Sequence, residues 1–326
     1  MRFASLAFVL ALVACGGNGP GTTGDDDGTP DGNNMTPPDG NLPPPARGFQ
    51  IVSTPIKIVA GDQRTYCYYF KLKTTEAFAV NKWQSHMTAG SHHLILYMTN
   101  GLGSHTDGEV SEAGCGGGGV GADSSIWTYA SQMIDQTTTL PADDGGGKPI
   151  AMNIAAGATG FVQMHYLNAS DQDAMVHIEI NADALDAGAP FTQTDAYVTY
   201  NDQISIPPNS TGTTASSTCN LPTNSKFWTL STHSHKQSVA TKIADGSTMI
   251  FSSTDWEHPG QVNWNTAPFY TFGNKLTISC TYDNPSANQI VDGPSATTNE
   301  MCMAVGYYFP SQGTKFCLAS LAPNIF

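Results

Sequence analysis

The sequence predicts an all-β protein made of two consecutive antiparallel β-sandwich domains. Three observations carry the prediction. Glycine (33) and proline (20) are frequent among the 326 residues, so the chain turns often. Short apolar runs rich in β-branched and aromatic residues recur between those turns, and no long apolar stripe of period 3.6 appears. The length suits two ordinary domains, and Asp186-Ala187-Gly188-Ala189-Pro190 reads as a junction between them.

The composition also narrows the partners. Charged residues make up only 12% of the chain, and the net charge is −14. Nucleic acid and anionic membrane surfaces are therefore poor partners. An acidic surface of this kind serves solubility.

From the N-terminus, residues 1–14 read as a secretory signal peptide: Arg2 supplies the positive start and Leu6 to Ala11 a short apolar run. That run is too short to span a bilayer. Leu12-Val13-Ala14-Cys15 resembles a bacterial lipobox, which implies lipid attachment at Cys15 after cleavage before it; the competing reading is an ordinary signal with a chance cysteine. Gly16 rather than Asp after the cysteine favours the outer membrane. The expected location is exported and lipid-anchored, with membrane contact only through the anchor; periplasmic and cell-surface faces both stay open. Residues 15–47 hold Asp25-Asp26-Asp27, repeated Gly and Pro, and almost no large apolar side chain, so they read as a disordered linker.

Folding is expected to begin near Phe49-Gln50-Ile51-Val52. Strands are expected at Tyr66–Lys73, His92–Met98, Gly160–Tyr166 and Met175–Asn181, which places a first domain at 48–192. Gly114 to Gly119 is a glycine-rich loop without the Lys-Ser/Thr ending of a phosphate-binding loop. A second domain, 193–326, is expected to hold strands at Gln203–Pro207, Lys226–Ser231, Ser247–Ser252, Lys275–Tyr282 and Met303–Phe309.

The six cysteines after Cys15 are Cys67, Cys115, Cys219, Cys280, Cys302 and Cys317. An even number in an exported chain suggests three disulfides, with fifteen pairings open from sequence alone. No Cys-x-x-Cys pair is present, which argues against a thiolate zinc site.

Histidines carry the chemistry. His233-Ser234-His235 on an extended strand puts two imidazoles on one face, a spacing that can chelate a transition metal; two polar residues on a wet sheet face is the competing reading. His92 and His93 head an apolar strand, where adjacent side chains point to opposite faces unless the backbone twists or bulges. His165 lies in Phe161-Val162-Gln163-Met164-His165-Tyr166. Met301 sits beside a cysteine; methionine is usually core filler, but a thioether beside two imidazoles favours Cu(I) over zinc, calcium or magnesium.

Taken together, these motifs resemble the copper type II, ascorbate-dependent monooxygenases. The resemblance rests on His92-His93-Leu94-Ile95-Leu96-Tyr97, Gln163-Met164-His165-Tyr166, His233-Ser234-His235, Glu257-His258-Pro259 and Glu300-Met301-Cys302, in family order over about residues 48–320. It implies jelly-roll-like sandwiches with a copper site in each and a wet cleft between them. His92, His93 and His165 would hold an electron-storing copper. His233, His235 and Met301 would hold the copper that meets O₂ and substrate, so these three are the catalytic candidates. Gln163 would stand behind a ligand or beside the substrate. Ascorbate or another one-electron donor would be the co-substrate. The family pairing of cysteines implies Cys67–Cys115, Cys219–Cys317 and Cys280–Cys302.

Two departures bear on the substrate. The arginine and tyrosine that anchor a carboxylate in the peptide-hydroxylating member are replaced here by Ser231 and Val305. A bidentate carboxylate clamp is absent, so peptidylglycine is not the expected substrate and a neutral or apolar one is. His86, His105, His177 and His258 read as surface or packing residues. The expected function is hydroxylation of a C–H bond with O₂. A copper-storing lipoprotein without turnover is the main rival, and a metal-free adhesion or glycan-binding sandwich is the third reading. Oligomeric state is open.

Overall fold

A computed structural model describes residues 42–113, 115 and 125–321. The signal peptide, Cys15 and nearly all of the linker lie outside the described residues. Every regular element among the described residues is a strand, as the turn-rich composition predicts, and none is a helix long and apolar enough to cross a membrane. The described residues all fall within one compact unit.

The first half of this unit is built on two sheets. One runs Gly48–Val52, Ile178–Ala184, Phe78–Met87, Ile150–Ile154 and Thr192–Gln193, with Asp135–Thr139 also on Phe78–Met87. The other runs Val110–Ser111, Gln63–Lys71, Thr159–Leu167, Ser91–Thr99 and Ile126–Ser131. Between them lies an apolar core that includes Val80, Leu94, Leu96, Val162 and Ile180, with Trp83 stacked on Tyr129 at 5.3 Å.

The second half repeats the plan with its own sheets. Gln261–Asn263, Lys226–Ser234, Cys302–Phe309, Asp195–Tyr200 and Lys315–Leu318 form one. Ser210–Asn220, Lys275–Asn284, Ser238–Asp245 and Thr248–Ser253 form the other. Tyr197, Phe227, Ile278, Tyr282 and Tyr308 fill the space between. Gly306 is required where two strands meet closely, since a Cβ there would stand 2.5 Å from both the Leu230 side chain and the Thr229 carbonyl.

The chain changes sheets close to the sequence junction. Thr192–Gln193 pairs in parallel with Ile150–Ala151, and Asp195 already pairs with Tyr308. Thr194 stitches the two: its amide donates to Ala151 O, its hydroxyl donates to Tyr308 O, and Trp228 Nε1 donates to its Oγ1. A third apolar cluster joins the halves, with Tyr97 and Trp127 from the first against Val198, Tyr200 and Met303 from the second.

All three disulfides implied by the resemblance are formed: Cys67–Cys115, Cys219–Cys317 and Cys280–Cys302. The last ties the start of the Cys302–Phe309 strand, and hence the neighbouring Met301, to the opposite sheet. A disulfide of this kind typically contributes about 2–4 kcal/mol.

Candidate copper centre

His93 lies directly opposite His165 on the paired strands Ser91–Thr99 and Thr159–Leu167. The next pair is Ser91 with Tyr166, so His92 is the extra residue of a β-bulge. The bulge resolves the problem of adjacent histidines on a strand. It turns His92 onto the face of His93, bringing their Nδ1 atoms to 2.9 Å and their ring centres to 5.1 Å. His92, His93 and His165 thereby place three nitrogen ligand atoms within 4.8 Å of one another.

In the second half, His233 is the penultimate residue of the Lys226–Ser234 strand and His235 follows the strand immediately. Their rings are 5.3 Å apart. Met303 pairs with His233 across the ladder. Met301, two residues earlier and on the same face by alternation, lines one cavity with His93, His165 and His233.

The two sets are not separated, as the resemblance had implied. Ring centres of His93 and His233 lie 4.9 Å apart, those of His92 and His233 5.2 Å, and those of His165 and His235 6.2 Å. The first two spacings match the 5.1–5.3 Å found within each set and the third is about 1 Å longer, so the five imidazoles form one cluster across the seam between halves. All five are buried, and the cavity beside them is largely apolar.

Burial sets their protonation. Loss of solvation holds His92, His93 and His233 well below the usual imidazole range, and their mutual proximity pushes the same way. Burial brings His165 and His235 down to about 4. All five are therefore neutral at neutral pH, the form that offers a lone pair to a metal.

Outer partners decide which nitrogen is offered. Gln132 Oε1 can only accept, so His233 Nδ1–H donates to it at 2.6 Å. His235 Nδ1–H likewise donates to Asn299 O at 3.2 Å. The Nε2 atoms of His233 and His235 then carry the lone pairs, and both are buried without a hydrogen-bond partner among the described residues. His92 Nε2 is buried without one as well, on a ring whose Nδ1 shares a single proton with His93 Nδ1. Three orphaned imidazole nitrogens in one cluster would cost roughly 1–3 kcal/mol each if nothing filled them. A soft cation that takes nitrogen and thioether ligands fits that set. His165 differs. Its Nε2 lies 2.7 Å from Gln63 Nε2, while Gln63 Oε1 accepts from the Ser295 and Thr297 hydroxyls. An amide therefore competes for that lone pair.

Glu300 shapes the second set from beneath. Its buried carboxylate accepts from the amides of His235, Gln237 and Met301, tying the His-x-His corner to the methionine loop. Burial raises it to about 7 against the pull of those donors. Trp256, on the loop before Gln261–Asn263, stacks on His92 at 5.4 Å. Gln63, Gln132 and Trp256 escaped sequence reasoning because each lies in a different segment from the ligand it touches. Glu300 stood inside a recognised motif, without a role.

The remaining candidates lie as follows. Gln163 lines the cavity beside His165. Ser231 and Val305, the two positions that depart from the carboxylate-anchoring pattern, are direct partners across the ladder. His86 pairs with Asp135, His105 with Glu109 and His177 with Glu179, and His258 is exposed.

Residues 194–326 match the family model described as copper type II ascorbate-dependent monooxygenase, C-terminal domain. The match covers the second half of the chain and meets the resemblance read from the motifs there. Among solved structures, PBCV-1 VP54, fitted into a reconstruction of the virophage Sputnik, is 7% identical with a TM-score of 0.29, covering 79% of this chain and 93% of that one. The VP2 subviral particle of infectious bursal disease virus is 10% identical with a TM-score of 0.20, covering 85% and 80%. Likenesses at that level carry no argument.

Proposed function

We propose that this protein is an exported, lipid-anchored copper monooxygenase that hydroxylates a C–H bond of a substrate other than peptidylglycine. The observation that carries the reading is the buried five-histidine cluster with three unpartnered Nε2 atoms, in a chain whose second half matches the copper monooxygenase domain. His92, His93 and His165 would hold one copper, and His233, His235 and Met301 a second. Copper so held would supply the one-electron chemistry that activates O₂, with ascorbate or a similar donor giving two electrons. In the overall reaction a C–H bond breaks, one oxygen atom enters the product as hydroxyl, and the other leaves as water with two protons.

The chain's own contribution is to keep the imidazoles neutral and aimed. Gln132 and the Asn299 carbonyl hold His233 and His235 with Nε2 turned away from them, the usual support behind a metal-bound histidine. The soft Met301 thioether favours the reduced ion. The test is copper content per chain by mass spectrometry, followed by oxygen uptake with ascorbate over a panel of neutral substrates. Two coppers and a hydroxylated product are expected. Copper retention without product on any member of the panel would favour the storage reading, and a chain that retains no copper would end the proposal.

A further inference from the structure

The cavity of about 70 Å³ beside the cluster has a composition of its own. Its wall brings Met301, His93 and His233 together with the apolar side chains that join the two halves, among them Trp127 and Val305. Among the described residues, no aspartate, glutamate, lysine or arginine lines it. In the metal-free protein an ionised ligand would lose its hydration there and meet no counter-charge from a side chain. One wall group stands out: the Gln163 amide has no hydrogen-bond partner among the described residues, so it has a donor and an acceptor to offer. The volume is about half that of an engineered apolar cavity that takes benzene. It therefore suits a branched alkyl group of three or four carbons better than an aromatic ring.

Resting on the copper reading above, we infer that this cavity is the substrate subsite, and that it takes a short branched aliphatic group carrying a neutral amide, carbonyl or hydroxyl that pairs with Gln163. Ser231 and Val305 complete the logic. Where a carboxylate substrate would need a cation, these cross-strand partners present a hydroxyl already donating to Gly260 O and an isopropyl group in the cavity wall.

The test separates this inference from the copper reading by measuring binding. The full chain, metal-free and copper-loaded, is titrated with isobutyramide and its isosteric anion isobutyrate, followed by ligand-observed NMR. Isobutyramide is expected to bind at least tenfold more tightly than isobutyrate to the metal-free chain, and to keep its own affinity when copper is loaded. Ala130→Leu, which fills the cavity, should weaken isobutyramide at least tenfold. Gln163→Leu should erase most of the preference for the amide, and Val305→Arg should reverse it in favour of isobutyrate. Each variant is first checked for cooperative unfolding. Equal binding of the two probes to the metal-free chain, or full affinity in a folded Ala130→Leu chain, overturns the inference even if the protein retains copper when loaded. Selective amide binding by a chain that holds no copper leaves the subsite standing and removes the monooxygenase reading.

Discussion

Gln132 Oε1 lies 2.6 Å from His233 Nδ1, with the amide in the first half of the chain and the imidazole in the second. Gln132 Nε2 also donates to Thr232 O, which fixes the amide's orientation independently of the histidine. One side chain from across the seam thus sets which nitrogen His233 presents. Gln132→Leu keeps the size and removes the acceptor. Copper affinity of the second set should fall by roughly 10–100-fold, the usual effect of deleting such a partner. The first set should change little. Competition against a Cu(I) chelator reads both; unchanged affinity at both sets would show that His233 is oriented without Gln132.

Gln63 acts in the opposite direction. Its amide occupies His165 Nε2 while its carbonyl accepts from Ser295 and Thr297 in the second half. Gln63→Ala frees that lone pair and removes a link between the halves. Copper affinity of the first set is expected to rise severalfold, and the metal-free protein to lose about 1 kcal/mol of stability with its hydrogen bonds. A fall in affinity would instead make Gln63 a support for copper binding at His165.

Met301 shares the cavity with three of the histidines and is anchored on both sides. Its carbonyl accepts from Tyr282, and its neighbour Cys302 is held by the disulfide to Cys280. Met301→Ile preserves much of the packing and removes the thioether. Hydroxylation is expected to be lost while the first set keeps its copper. X-ray absorption of the reduced protein should show a sulfur ligand in the parent and none in the variant. Retained turnover would take Met301 out of the site.

Much of this centre was legible in the sequence, for identifiable reasons. Alternation placed His233 and His235 on one side, because the strand runs to Ser234 and His235 continues its line. The need for a bulge at His92-His93 followed from strand geometry alone, and the register shift at Tyr166 supplies it. Polar strands were less visible: Ser210–Asn220 has scarcely an apolar residue and is a strand because Lys275–Asn284 pairs along it. Phe78–Met87, buried at alternate positions, was passed over because Asn81, Lys82 and Gln84 interrupt its apolar run. The closeness of the two histidine sets was out of reach, because it depends on how the halves pack around Tyr97, Trp127, Val198 and Met303. Local pattern carries no information about that seam.

Acid should unfold the metal-free protein unusually early. In the unfolded chain each histidine titrates near 6.5, whereas in the folded chain burial holds His165 and His235 to about 4 and the other three well below their usual range. Above about pH 6.5 both states are neutral and these groups contribute no pH dependence. Between about 6.5 and 4 the unfolded state binds more protons, so stability falls as pH falls. His165 and His235 alone account for up to roughly 3 kcal/mol each by pH 4. Glu300 works against them: its raised folded pKa of about 7 makes the folded state the better proton binder as pH drops toward the ordinary carboxyl range. Five histidines outweigh one carboxylate, so the net slope is destabilising. Urea unfolding of metal-free protein at pH 7.5, 6 and 5 should show a steadily falling midpoint, and His165→Gln should flatten the fall. A midpoint that is constant across this range would mean that the cluster opens to water and its imidazoles protonate in place.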